Sequence, residues 1–188
     1  AQKLELPKSA AGTGYVKATR TGDGMNTLTV EKYSEGTSWG AVYAQFMQDV
    51  KDVEGASEGM TVKREILKDG KVLADGAALY VGDRIKGRIT VNAARDYDFV
   101  QLTDKRAACM EPALQISGYH RGCYYAQGDN RTGYYFDRMA KGKHVIETEY
   151  YVDRAGTYST GTCTVQCAYS PEYSARSAAM TVNVSERK

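Results

Sequence analysis

Ile85, Gly87, Ile89 and Val91 alternate with Lys86, Arg88 and Thr90, the period-2 pattern of a strand with one buried and one wet face. A polar connection over residues 92–96 leads into a second apolar, aromatic-rich run over 97–102, which is placed to pair with the first. Upstream, Lys68-Asp69-Gly70 separates apolar runs at 61–67 and 71–74, and Asp-Gly between such runs is a strong hairpin signal. Downstream, runs at 113–117, 119–126, 132–137, 144–153, 162–169 and 177–184 are parted by turn residues such as Gly128-Asp129-Asn130, Lys141-Gly142-Lys143 and Ala155-Gly156-Thr157-Tyr158. In the longest of these, Val145, Glu147 and Glu149 face one way and Ile146, Thr148 and Tyr150 the other. Pro171 is expected to end the strand before it, because proline donates nothing to a central ladder. Regular turns without a helical period predict an all-β chain folded as an antiparallel β-sandwich.

The first quarter of the chain predicts something smaller. Segments 14–20, 27–33 and 39–47 are spaced by Thr21-Gly22-Asp23-Gly24 and Ser34-Glu35-Gly36-Thr37, which reads as a β-meander with Trp39 as its core anchor. The acidic, small-residue stretch 48–59 has a linker composition. Domains are therefore expected at 1–58 and 59–188.

An apolar fraction of 42% supplies a core, and 25 basic against 23 acidic residues leave a net charge of +2, so no phosphate-tracking surface and no nucleic-acid partner is expected. No apolar run reaches the roughly 20 residues of a membrane span, and the chain opens without a signal-like segment. The 15 tyrosines, against 3 phenylalanines and 1 tryptophan, read first as sheet-face residues with a packed ring and a wet hydroxyl. A carbohydrate-binding surface is their alternative use.

Candidate chemistry is sparse. His120 and His144 accompany no nucleophile motif, and no zinc-protease or phosphate-loop pattern occurs. Glu147 and Glu149 share a strand face, which would suit a glycosidase pair, but a solvated face is the expected reading. No cofactor or metal is implied, since the four cysteines lack the close Cys-x2-Cys spacing of structural zinc. Cys163 and Cys167 lie about 13 Å apart on one strand, beyond the roughly 7 Å reach of a bridge. Cys109 and Cys123 are left as their partners if both bridges form, with Cys109–Cys167 and Cys123–Cys163 the expected pairs; free buried thiols are the alternative. Two bridges would imply an oxidising compartment.

Several fragments in order carry a family resemblance. The turn at Gly82-Asp83, then Asp96-Tyr97-Asp98-Phe99-Val100, Asp104 and Met110-Glu111-Pro112 resemble the C-terminal region of alpha-2-macroglobulins of the bacterial, Bacteroides-type branch. Gly12-Thr13-Gly14-Tyr15 and Trp39-Gly40-Ala41-Val42-Tyr43-Ala44-Gln45-Phe46 are similar to the strands after that family's thioester domain. Phe136-Asp137, Lys141-Gly142-Lys143-His144, Cys167-Ala168-Tyr169-Ser170-Pro171-Glu172 and Ala175-Arg176 are similar to its last, receptor-binding-like domain. The family usually has Pro-Ala-Gly-Leu-Glu-Pro where this chain has Arg106-Ala107-Ala108-Cys109-Met110-Glu111-Pro112, so the Glu-Pro matches and the glycine does not.

The resemblance implies that residues 1–58 are the closing half of a CUB-like domain and 59–188 the last macroglobulin domain. It implies a non-catalytic scaffold and contact portion of a protease trap, packed against and shielding an upstream thioester domain. The partners would be the thioester and macroglobulin domains of the same chain, target proteases through the parent, and a second copy of the isolated fragment. The location would be periplasmic or on the cell surface. The family's thioester forms in Cys-Gly-Glu-Gln; Pro112 stands where the carboxamide is required, so that bond is expected upstream of Ala1. The alternative function is an extracellular adhesin or carbohydrate-binding β-sandwich.

Overall fold

The computed structural model describes residues 17–22, 27–33, 35–120 and 122–187. The chain divides into two compact units, Ala1–Ala44 and Gln45–Lys188.

The described residues of the first unit form no strand or helix. This corrects the expected strands at 27–33 and 39–47; much of the one at 14–20 lies outside the described residues. Trp39 is 94% exposed, so it anchors no core. The physical reason is scale, because two or three short strands are marginal in water until a further layer covers their apolar face.

Among its described residues the second unit opens with one 3-10 turn, Val50–Asp52, followed by fifteen strands. The first five are β1 (Ala56–Glu58), β2 (Met60–Lys68), β3 (Lys71–Val72), β4 (Ala77–Tyr80) and β5 (Arg84–Ala93). β6 (Tyr97–Lys105), β7 (Met110–Pro112), β8 (Gly118–His120), β9 (Cys123–Gln127) and β10 (Arg131–Met139) follow. β11 (Gly142–Val152), β12 (Gly156–Ser159), β13 (Cys163–Cys167), β14 (Ser170–Arg176) and β15 (Thr181–Ser185) complete the set. They form a seven-stranded sheet in the order β1-β14-β13-β6-β10-β9-β8, a five-stranded sheet β3-β2-β5-β11-β7 and a three-stranded sheet β12-β15-β4. All pairs are antiparallel except β15 with β4.

The local signals are honoured. Asp69 and Gly70 take φ of 50° and 76° between β2 and β3, the two left-handed residues that a two-residue hairpin turn requires. In β5, Ile85, Gly87, Ile89 and Val91 are buried while Lys86, Arg88 and Thr90 are not. In β11, Tyr150 and Val152 are buried and Val145 and Glu149 exposed.

The pairings differ from expectation in several places. β5 and β6 do not pair: β5 lies between β2 and β11, β6 between β13 and β10. Each carries one apolar face, and crossing between sheets at 94–96 sets those faces against each other. Residues 113–117 form no strand. The run 119–126 is a hairpin, β8 with β9, turned at Gly122 with φ 84°. Pro171 lies inside β14 rather than ending a strand. β1 pairs β14 only at residues 174–176, and the β13 register shifts between Gln166 and Cys167, so the proline falls where no ladder needs its missing N–H.

Two apolar clusters lie between the layers. In one, Met60, Ile89 and Val91 of the five-stranded sheet meet Val100, Leu102, Tyr125, Tyr134 and Val165 of the seven-stranded sheet. In the other, Ile66, Ile85, Tyr150 and Val152 meet Leu79, Val182 and Val184 of the three-stranded sheet.

Candidate functional site

The interior holds a small polar network. Arg64 on β2 and Asp104 on β6 reach across the sandwich, with Nε 2.8 Å from Oδ1 and side chains only 4% and 2% exposed. The Tyr150 hydroxyl donates to Asp104 Oδ2 at 3.2 Å, and Arg64 Nη1 donates to the Thr160 carbonyl at 3.0 Å. Burial raises the Asp104 carboxyl above its ordinary range despite the guanidinium and the phenol beside it. Arg106 fastens the β9–β10 turn, donating to the carbonyls of Gly128 and Asp129 and to that of Met110. Every one of these groups is enclosed by strands, and none faces a cleft.

Asp83 is a second knot. It accepts from the Tyr80 N–H, from Lys68 at 2.5 Å and from Arg187 at 2.8 Å. Burial alone would raise its carboxyl, but these donors outweigh it and hold the group below the usual aspartate range. A depressed folded-state pKa contributes stability that is present above about pH 4, the unfolded value, and lost as pH falls through the folded value. Asp83→Asn is therefore expected to lower the urea midpoint at neutral pH and to flatten the acid limb of a midpoint-against-pH curve. An acid limb identical to that of the native chain would contradict this role.

All four cysteines are buried and free, which corrects the expected Cys109–Cys167 and Cys123–Cys163 bridges. Cys163 on β13 stands opposite Asp104 of β6, and Cys123 lies on β9, two strands further across the sheet. At about 4.8 Å per strand that is about 14 Å of lateral separation, twice the bridging limit of about 7 Å. Cys167 and Cys109 belong to different apolar clusters. Burial pushes the Cys109 thiol to about 11 and raises those of Cys123 and Cys163, so thiolate, the reactive form, is scarce. Native chain should be nearly inert to Ellman's reagent and show four thiols in denaturant without reductant; two or none would restore a bridge.

The remaining sequence candidates are dispersed. His120 lies on the edge strand β8 and His144 on β11 of the other sheet. Among the described residues no group of three or more His, Cys, Asp or Glu side chains is placed to hold a metal. Glu147 accepts from Arg88 at 2.8 Å and Lys86 at 3.0 Å, and Glu149 from Arg84 at 3.2 Å. The hydrogen bond from Arg88 is the main cause that holds Glu147 below the usual carboxylate range. The outer face of the five-stranded sheet is thus a solvated lattice of paired charges.

The outer face of the seven-stranded sheet is different. Register places Tyr119, Tyr124, Tyr135, Gln101, Gln166, Ser174 and Glu58 in one row across all seven strands. Six of those seven are uncharged. The Tyr119 and Tyr124 rings lie 5.3 Å apart at 73°, and Tyr124 and Tyr135 6.5 Å apart at 50°. A Cβ on Gly133 would fall 2.9 Å from the Tyr135 ring and 3.1 Å from its hydroxyl, so that ring lies down over the glycine with its other side to solvent. Beside the row, Gln101, Thr103, Thr164, Gln166 and Ala168 line a shallow depression of about 190 Å³. At a corner of the face Phe99, with φ 54°, stacks edge-on against Tyr169 at 5.3 Å; a left-handed phenylalanine is an outlier that its surroundings must impose. The connection 113–117 exposes Leu114 and Ile116, the latter at 75%. The sequence showed Tyr124 and Tyr135 as strand tyrosines, but the row joins residues up to 116 positions apart, from Glu58 to Ser174, and only register reveals it.

A family profile described as Bacterial Alpha-2-macroglobulin MG10 domain matches residues 59–172, more than half of the chain. The chain belongs to the bacterial alpha-2-macroglobulin family. Native Escherichia coli alpha-2-macroglobulin superposes with a TM-score of 0.61 at 19% identity, covering 70% of this chain and 10% of that one. A point mutant of Salmonella alpha-2-macroglobulin gives 0.60 at 19% identity over the same shares. A crystal structure of E. coli alpha-2-macroglobulin from domain MG7 to the C-terminus gives 0.60 at 17%, covering 69% of this chain and 24% of that one. This macroglobulin chain therefore spans a tenth to a quarter of the lengths of those relatives. No curated protein sequence matches it. No helix among the described residues is long and apolar enough to cross a membrane.

Proposed function

We propose that this chain is the non-catalytic C-terminal scaffold and contact portion of a bacterial macroglobulin protease trap. Residues 1–58 would be the closing half of a CUB-like domain and 59–188 the final macroglobulin domain, in a periplasmic or surface-attached parent. Its partners would be the parent's own thioester and macroglobulin domains and, through them, target proteases. Its task would be to pack against the thioester domain and shield the reactive bond until cleavage of the trap.

The observation that supports this reading is where apolar side chains lie open. Val30, Tyr33, Trp39, Tyr43, Phe46 and Met47 are between 77% and 100% exposed, and Leu114 and Ile116 project from 113–117. Large apolar side chains left this open, taken segment by segment, are the kind of surface that another body covers.

The test is made in the parent. Ile116→Asp, at a side chain that is 75% exposed, is expected to speed the thioester's reaction with methylamine at least several-fold, and deletion of Met60–Lys188 further still. Equal methylamine rates in native and variant parents would defeat the shielding role. An upstream reading frame without Cys-Gly-Glu-Gln would defeat the covalent trap.

A further inference from the structure

We infer that the outer face of the seven-stranded sheet is a binding site for a neutral, β-linked polysaccharide chain lying across the strands along the row from Tyr119 to Ser174. The inference does not depend on the trap reading, and four observations carry it.

The first is chemistry. From the β8 edge to β14 the row offers three phenols, two carboxamides and one hydroxyl without a charge. Among the described residues, no hydrogen bond engages the hydroxyls of Tyr119, Tyr124 and Tyr135 or the amide of Gln166. These groups match sugar hydroxyls, which both donate and accept, and they leave no ion to desolvate when covered.

The second is the platform. The Tyr135 ring rests on Gly133, whose missing Cβ is what lets it lie down, and glycine inside a strand marks such close approaches. A flat, half-exposed ring presents its π-face to the apolar C–H side of a sugar. Tyr119, 76% exposed at the sheet edge, supplies another ring two strands along, beyond Tyr124.

The third is spacing. Successive members of the row sit on neighbouring strands, about 4.8 Å apart, close to the length of one sugar ring along a β-linked chain. Each strand crossed therefore meets one sugar, with the depression lined by Gln101, Thr103, Thr164 and Gln166 taking groups that project sideways.

The fourth is contrast. The opposite outer face has the same strand geometry but is occupied by Lys63–Glu65, Arg88–Glu147, Lys86–Glu147 and Arg84–Glu149 ion pairs. Along the row from Tyr119 to Ser174 charge is absent, and charges of the same face such as Arg131, Lys105 and Arg176 stand to its sides.

The experiment is affinity electrophoresis of the full chain through gels containing hydroxyethyl cellulose, xyloglucan or laminarin, with alginate as an anionic control. The native chain is expected to be retarded by at least one neutral polysaccharide. Tyr135→Ala and Gln166→Ala should each weaken retention about tenfold, the scale of one lost aromatic or hydrogen-bonded contact. Glu149→Gln on the opposite face should leave it unchanged. Circular dichroism and the urea midpoint of each variant exclude unfolding as the cause. No retardation in any neutral gel, retardation by alginate alone, or retention indifferent to Tyr135 and Gln166 would each overturn the assignment. Sedimentation velocity adds one more refutation: a dimer of native chain dissociated by Tyr135→Ala would show the face to be an interface between copies.

Discussion

Arg64→Leu is expected to destabilise the sandwich by about 3–5 kcal/mol, the cost of leaving one member of a buried ion pair uncompensated. Arg64 is the cation nearest Asp104, at 2.8 Å, and both side chains are almost fully enclosed. Domains of this kind are stable by only about 5–15 kcal/mol, so the variant should sit near the edge of folding. The loss should depend on pH in a direction that follows from charge. Without Arg64, burial acts on Asp104 opposed by Tyr150 and the more distant Arg106, and the folded carboxyl is raised further. An acid whose folded pKa is raised holds its proton in the folded state, so stability falls as pH climbs from about 4, the unfolded value, through the folded value. Urea midpoints should therefore show Arg64→Leu nearest to native at acid pH and furthest from it at neutral pH. The double variant Arg64→Leu, Asp104→Leu should recover much of the loss, because replacing both charges by apolar groups removes the buried ion altogether. A single-variant loss below about 1 kcal/mol at neutral pH, in the range of an exposed pair, would show that water reaches the site.

Leu102→Ala is the second large effect, expected at about 2–5 kcal/mol from lost transfer energy and an incompletely collapsed cavity. Leu102 is 0% exposed on β6, the central strand of the seven-stranded sheet, held between Tyr134 of β10 and Val165 of β13. Both neighbours are themselves buried in the same cluster, so little can move into the space. Trp39→Ala makes the contrast. By sequence it removes the chain's only tryptophan from a core, yet at 94% exposure it should shift the midpoint of the isolated chain by no more than about 0.5 kcal/mol, as surface substitutions do. Equal losses for the two variants would return Trp39 to a core role.

These two cases show where sequence reasoning carries and where it stops. The alternation in β5 and β11, the Asp69-Gly70 turn and the turns around 128–130 and 141–143 were legible, because a period of two and a positive φ are properties of neighbouring residues. The family was legible as well, from short fragments in a fixed order. Which strand pairs with which was not: β5 and β6 are adjacent in sequence and lie in different sheets. Trp39 was misread because a composition can nominate a core residue while only a covering layer can bury it.

The candidate surfaces follow the same division. Glu147 and Glu149 were already readable as a wet face, and the structure supplies the cations that hold them. The four cysteines were visible, and one pairing could be excluded from spacing on a strand. The distance between Cys123 and Cys163 waited on the order of strands in the sheet. The tyrosine row and the Arg64–Asp104 pair are wholly tertiary. Each joins residues dozens of positions apart through register or across the sandwich, and no local period encodes either. By itself the sequence determined the alternation and inward faces of strands such as β5 and β11 and the macroglobulin kinship; sheet order alone decided which wet faces became a lattice of ion pairs and which a line of uncharged rings and amides, because register is set by long-range packing of the buried faces.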